Sequence, residues 1–183
     1  IPRLLKRKMV NSQISDTNSA GLIKPYGGEL INLMASEEEK NKLKTSSFKT
    51  LNCSHRNACD IELLLIGAFS PLTGFMNEAN YNSVVQTNRI TTGLLFGLPI
   101  VMDTEREDVK PGDSVLLNYQ GQTLALLHIE EKWEADKVNE AKFCYGTTSL
   151  EHPAVRMVAM ERKKYYLGGS IKGFELPNRV FKC

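Results

Sequence analysis

At 183 residues and a formal net charge of +2, the chain suits one domain, or one domain with a small appendage. Its 42% apolar and 24% charged residues exclude a collagen, a wholly disordered chain and a disulfide scaffold. The near-neutral balance leaves no large electrostatic footprint for nucleic acid.

The positive excess is uneven. Residues 1–10 carry Arg3, Lys6, Arg7 and Lys8 and no acid, and residues 11–21 are polar and rich in Ser and Asn without an apolar period. Residues 1–21 are therefore expected to be a flexible tail, vector-derived or disordered, with a transit-peptide remnant as the alternative. Order is expected from Leu22. Lys24-Pro25-Tyr26-Gly27-Gly28 is turn chemistry, and Glu29 to Leu33 reads as a short strand. Ser36-Glu37-Glu38-Glu39 is a capping box that predicts a helix to about Lys44, with acids in its first turn and lysines near its end. Asp60 reads as the N-cap of a second helix with Ile61, Leu64, Leu65 and Ala68 on one apolar face.

Gly67 to Met76, Gly-Ala-Phe-Ser-Pro-Leu-Thr-Gly-Phe-Met, is a poor helix and a poor strand, because Gly and Pro interrupt both. It predicts a compact apolar loop with Phe69 and Phe75 buried. Asn77 caps a third helix, where Tyr81, Val84 and Val85 share a face. Leu98 to Met102 reads as a buried strand. Lys110-Pro111-Gly112-Asp113 predicts a type II turn. Ser114–Tyr119 and Thr123–Lys132 flank Gln120-Gly121 as a hairpin. Asp136 caps a short helix; Lys142 to Tyr145 either continues it or turns to strand, and His152 to Met160 is ambiguous. Tyr165–Gly168 and Gly173–Leu176 read as a second hairpin around residues 169–172. Helices first and antiparallel strands later make the fold class α+β.

The residues supply little reactive chemistry. A phosphate-binding loop needs Gly, four residues, then Gly-Lys-Ser/Thr, and no such run occurs. Gly168-Gly169-Ser170-Ile171-Lys172-Gly173 has the right residue types in the wrong order and reads as a turn. His55, His128 and His152 are scattered, so no metal site is indicated. His128 reads as a hydrogen-bonded sheet residue and His152 as a turn anchor. No Gly-x-Ser-x-Gly elbow exists, and Ser70 reads as structural. Arg56 and Asp60, four apart, are expected to pair at a helix start, with an anion site as the alternative. Glu161-Arg162-Lys163-Lys164 beside Tyr165-Tyr166 reads as a solvated helix end, with RNA contact as the alternative. Cys53, Cys59, Cys144 and Cys183 show no metal or redox spacing and are expected to be reduced thiols. No apolar run approaches the ~18 residues of a membrane span.

The order of short motifs adds more. Leu22 to Leu30 resembles a Leu-x-x-Pro-His-Gly-Gly-x-Leu opening, with Tyr26 in the His position. Arg56 with Asp60-Ile61-Glu62-Leu63, the Gly67–Met76 loop, Leu98-Pro99-Ile100, Asp136-Lys137 with Glu140-Ala141, Gly146-Thr147, His152-Pro153 and Tyr166-Leu167-Gly168-Gly169 follow in sequence. This series resembles the amino-terminal region of the ATP sulfurylase (sulfate adenylyltransferase) family from about Leu22 to Leu176. The resemblance implies a PUA-like small β-barrel decorated by helices, spanning 22–183. It implies a parent activity in sulfate assimilation that joins sulfate to the α-phosphate of ATP, with Mg²⁺, giving adenosine 5′-phosphosulfate and pyrophosphate.

The family's substrate groups lie in a second, nucleotide-binding domain marked by Gln-x-Arg-Asn-Pro, His-x-x-His and Gly-Arg-Asp-His segments. None of these occurs here, and Asn178-Arg179 is no substitute. No catalytic, cofactor-binding or metal-binding residue is therefore assigned. The resemblance implies an inactive piece whose partners are the missing catalytic domain of the same chain and further copies in a homo-oligomer. It implies a cytoplasmic location, or a plastid if the source is eukaryotic. A PUA-like RNA-binding module is the alternative. An adenylylsulfate kinase in the parent would show only outside these residues.

Overall fold

A computed structural model describes residues 23–44 and 47–179; the expected tail at 1–21 and Cys183 lie outside them. The elements, in chain order, are α1 (Glu37–Lys44), β1 (Lys49–Asn52), α2 (His55–Leu65), β2 (Gly74–Phe75), α3 (Glu78–Thr87) and β3 (Met102–Thr104). They continue with β4 (Ser114–Tyr119), β5 (Gln122–Glu134), α4 (Lys137–Tyr145), α5 (Pro153–Met160) and β6 (Tyr165–Gly173). Helices and one mixed sheet confirm the α+β class.

The sheet runs β1-β4-β5-β6-β2, with β3 also paired to β6. β1 lies parallel to β4; the other pairs are antiparallel. β6 is the hub. One edge takes β5 along its whole length, while the other takes β3 against Tyr165–Leu167 and β2 against Gly169–Ser170. Among the described residues the path does not close on itself, so the sheet is open where a small barrel was expected. β5 carries a bulge between Ile129 and Glu131, which breaks the in/out alternation and bends the strand.

The core lies between one face of this sheet and helices α2 and α3. Ile61, Leu64 and Leu65 recur at helical spacing on α2, and Tyr81, Val84 and Val85 on α3. They meet Val115, Leu117, Leu124, Leu127, Ile129 and Leu167 from the strands. Each of these side chains is buried, and together they supply the main driving force for folding.

Several expectations hold. Ser36 and Glu39 form the capping box of α1, Asn77 caps α3, and Asp136 caps α4, which continues through Tyr145. Gln120 and Gly121 both have positive φ, as a two-residue hairpin turn of matching twist requires. Asp113 closes the turn onto the Lys110 carbonyl at 3.0 Å.

Others are corrected. α2 begins at His55, not at Asp60, because Ser54 caps it: the Ser54 hydroxyl accepts from the Asn57 amide at 3.1 Å and Asn57 Oδ1 accepts from the Ser54 amide at 3.1 Å. Residues 29–33 form no strand. The pairing falls one residue later, as a single bridge between Met34 and Gly173. The strand expected at Leu98 starts at Met102. His152–Met160 resolves to helix α5, with Pro153 in its first turn.

The largest correction concerns the hairpin expected over residues 165–176: Tyr165–Gly173 is one continuous strand, and residues 174–176 lie outside it. A Cβ on Gly74 would collide with the Gly169 carbonyl, one on Gly168 with the Met76 carbonyl, and one on Gly169 with the His128 carbonyl. These glycines let three backbones approach closely; they do not turn the chain. Gly74→Ala is accordingly expected to destabilise the protein by about 3 kcal/mol. Urea unfolding checks this, and a loss below about 0.5 kcal/mol would show that β2 yields to the added methyl group.

Candidate functional site

The glycine-rich loop is tied down at each end. α2 stops at Leu65, and the chain reverses at Gly67, which has φ +82° and faces the Ile31 carbonyl so closely that a Cβ would lie 2.8 Å from it. Ser70 works as a structural clamp, as expected. Its hydroxyl donates to the Gly67 carbonyl at 2.6 Å and accepts from the Ile31 amide at 2.9 Å. The Ser70–Pro71 peptide is cis. Beyond it, Met76 donates its amide to the Ile100 carbonyl at 2.8 Å. Phe75 is 4% exposed, as expected, but Phe69 is only half-buried.

Phe69 is half-buried because it borders a cleft of about 560 Å³. Tyr26, Leu95, Leu98 and Phe96 form the far wall and Arg56 and Asp60 of α2 the near one. Phe69 and Phe96 meet edge to face, centroids 6.1 Å apart. The Tyr26 hydroxyl donates to the Leu95 carbonyl at 2.8 Å. Arg56 Nε lies 4.0 Å from Asp60 Oδ2, so the expected pair is made without a hydrogen bond, and both atoms are buried with no hydrogen-bond partner. Burial raises the Asp60 pKa, only partly offset by Arg56 and Arg162.

Behind this wall runs a buried polar network. Glu140 of α4 is 1% exposed and accepts from the Tyr81 hydroxyl at 2.9 Å and the Tyr166 hydroxyl at 3.0 Å. Burial, reinforced by the Glu140 charge, pushes both phenols well above their ordinary range, so they remain donors. Arg162 follows α5, and its side chain is only 3% exposed. It donates to the Val101 carbonyl at 3.3 Å, lies 3.8 Å from Asp103 Oδ1 and faces the Tyr166 ring. Burial opposes its charge, but Tyr166, Glu140, Asp103 and Asp60 outweigh that and raise its pKa. Asp103 also accepts from Asn57 Nδ2 at 2.9 Å and from the Lys163 amide at 2.8 Å. The network thus ties α2, α3, α4 and β6 to β3 and to the segment after α5.

The reading of Glu161–Lys164 as a solvated helix end holds for Glu161, Lys163 and Lys164 and is corrected at Arg162. Arg162 points into the protein, and the Lys163 and Lys164 amides are taken by Asp103 and Glu105. The run therefore presents two cations outward rather than three, and the RNA-contact alternative built on it loses its basis. His128 sits in β5 with Nδ1 3.3 Å from the Ser114 hydroxyl, the sheet role expected of it. His152 stacks beside Tyr145 at 5.5 Å.

Cys53, Cys59 and Cys144 are free thiols. Burial, with Asp103 adding to it, pushes Cys53 up to about 12, and burial with Glu140 pushes Cys144 up to about 11, so neither is an activated nucleophile. Among the described residues no group of three His, Cys, Asp or Glu is placed to hold a metal ion. No helix among them is long and apolar enough to cross a membrane. The sequence reading missed the role of Arg179. It forks onto Glu62 Oε2 at 3.0 and 2.7 Å and reaches Cys59 Sγ at 3.2 Å, fastening the carboxyl-terminal segment to α2. A lone arginine 117 residues from its partner gives no local signal.

The family described as "PUA-like domain" matches residues 23–176. The chain is 37% identical over 158 residues to a sulfate adenylyltransferase of Synechococcus, covering 83% of this chain and 40% of that protein. It is 37% identical over 158 residues to that of Neurospora crassa, covering 81% of this chain and 27% of that protein. Ruthia magnifica has a sulfate adenylyltransferase 39% identical over 157 residues, with 82% and 39% covered. The chain therefore spans well under half the length of these relatives. Among solved structures it is similar to the hexameric APS kinase from Thiobacillus denitrificans, with TM-score 0.65 and 27% identity, over 87% of this chain and 28% of that one.

The buried network generates a direct test. Tyr81→Phe removes one hydrogen bond to a buried carboxylate while keeping the ring, and is expected to cost about 2 kcal/mol in chemical denaturation. An unchanged midpoint would show that Glu140 draws its stabilisation from elsewhere.

Proposed function

Because this chain belongs to the PUA-like domain family, we propose that it is the non-catalytic amino-terminal domain of a sulfate adenylyltransferase. Residues 22–183 form the domain in this reading, and 1–21 a tail. The parent enzyme joins sulfate to the α-phosphate of ATP, a reaction in which a weak nucleophile needs positioning and cationic stabilisation of the α-phosphate.

One observation carries the division of labour. The glycine run that could have cradled phosphate, Gly168–Gly173, lies inside β6 with its backbone engaged by β5 and β2. The described residues do not fit ATP with Mg²⁺: they offer neither a glycine-rich cradle at a helix N-terminus nor a cluster of metal ligands. No catalytic, nucleotide-binding or metal-binding residue is assigned to this chain, and both substrates fall to a domain that the longer relatives carry. The hexameric structural neighbour supports a homo-oligomeric parent. The same reading puts the enzyme in the cytoplasm, or in a plastid of a eukaryotic source.

Sulfate-dependent release of pyrophosphate from ATP tests the proposal. The longer polypeptide is expected to turn over, and residues 1–183 alone to give no rate above background. Turnover by residues 1–183, or none by the longer polypeptide, overturns it.

A further inference from the structure

We infer that the cleft between α2, the glycine-rich loop and residues 95–98 is the seat of the catalytic domain of the same polypeptide. This rests on the function proposed above and names the surface on which that domain docks.

Three observations carry it. First, apolar side chains are gathered there without cover. Leu95 is 57% exposed, Tyr26 52% and Leu98 37%, and all three line the cleft beside the half-buried Phe69 and Phe96. Such a concave apolar patch marks an interaction site more than an ordinary surface. Second, the near wall carries unfinished polar chemistry. Arg56 Nε and Asp60 Oδ2 are buried without hydrogen-bond partners, and the Arg56 side chain is still 40% exposed. The exposed part of the Arg56 side chain leaves a cationic donor on this wall for an occupant that brings an acceptor.

Third, the carboxyl-terminal end of the described chain is fastened to the helix that forms this wall. Arg179, the last described residue, is clamped to Glu62 and Cys59 of α2. Cys59 and Arg56 are three residues apart on that helix, about 4.5 Å along its axis. More than half of each relative's length lies outside the region that this chain matches. A domain tethered at α2 therefore meets the cleft at a high effective concentration. The occupant presents apolar side chains to Leu95, Leu98 and Phe96 and a carboxylate or carbonyl to Arg56.

The test uses the longer polypeptide. Leu95→Asp with Leu98→Asp changes exposed positions on the cleft wall; Leu95→Ala is a milder companion. Val138→Asp with Phe143→Asp, on the exposed apolar surface of α4, is the control. The cleft pair is expected to split one thermal transition into two and to raise proteolytic cleavage between the domains at least tenfold. Leu95→Ala should fall between, and the α4 pair should change neither readout. An unchanged melt and cleavage rate for the cleft pair, or the larger effect from the α4 pair, overturns the inference. So does a drop in oligomer mass with the melt intact, which would assign the cleft to a second copy. Sulfate-dependent pyrophosphate release by the unmutated longer polypeptide reports on the parent activity separately, so failure of that reading is distinguishable from failure of the docking surface.

Discussion

A Cβ on Gly74 would fall on the Gly169 carbonyl, and one on Gly168 would fall on the Met76 carbonyl. This close approach of backbones is the constraint from which the rest of the architecture follows. It lets β2 pair with β6 for only two residues, which is enough to pin the Gly67–Met76 loop to the sheet. With the loop pinned, α2 enters it and α3 leaves it in fixed directions. Their apolar faces then cover Leu124, Leu127 and Ile129. Two motifs nearly a hundred residues apart in sequence are two halves of one contact.

The polar interior depends on that placement. Glu140 can remain buried because Tyr81 of α3 and Tyr166 of β6 both donate to it, and Tyr81 arrives there only if α3 is correctly aimed. Tyr81, Trp133 and Tyr166 pack around the same point with centroids 5.6 to 6.1 Å apart, shielding the carboxylate from water. Arg162 is held by several acids and a carbonyl rather than by one close ion pair. Buried charges of this kind add little net stability but strongly disfavour alternative packings, since losing one partner strands the other. The network therefore reads as a device that fixes the relative positions of helices and sheet.

Local signals made part of this legible in the sequence. Ser36 with Glu39, Asn77 and Asp136 mark helix starts because a side-chain oxygen two or three residues from an orphan amide is a local matter. The Gln120-Gly121 hairpin was equally local. Readings failed where a distant partner decided. Asp60 has the chemistry of a cap, but Ser54 with Asn57 caps first, and Asp60 ends up buried in mid-helix beside Arg56. Gly168 and Gly169 look like a turn because nothing nearby shows that Met76 and His128 will press against them. Arg162 looks solvent-facing until Glu140 and Asp103 are brought beneath it. α5 lacks a side-chain cap altogether, which left 152–160 ambiguous. The apolar cleft was invisible for the same reason: Tyr26, Phe69 and Leu95 share a wall only after the loop is pinned.

The residues most suggestive of function are thus engaged in construction. Glycines in a motif invite a phosphate-binding reading, yet here they serve backbone contact, and Ser70, His128, Arg162 and Arg179 are held by partners within the fold. Amide hydrogen exchange across Gly168–Gly173, with and without ATP and Mg²⁺, tests this account most directly. It predicts protection close to that of global unfolding, because these amides lie in the hub strand, and no change when nucleotide is added. Fast exchange in this strand, or slowing that depends on nucleotide, would contradict it.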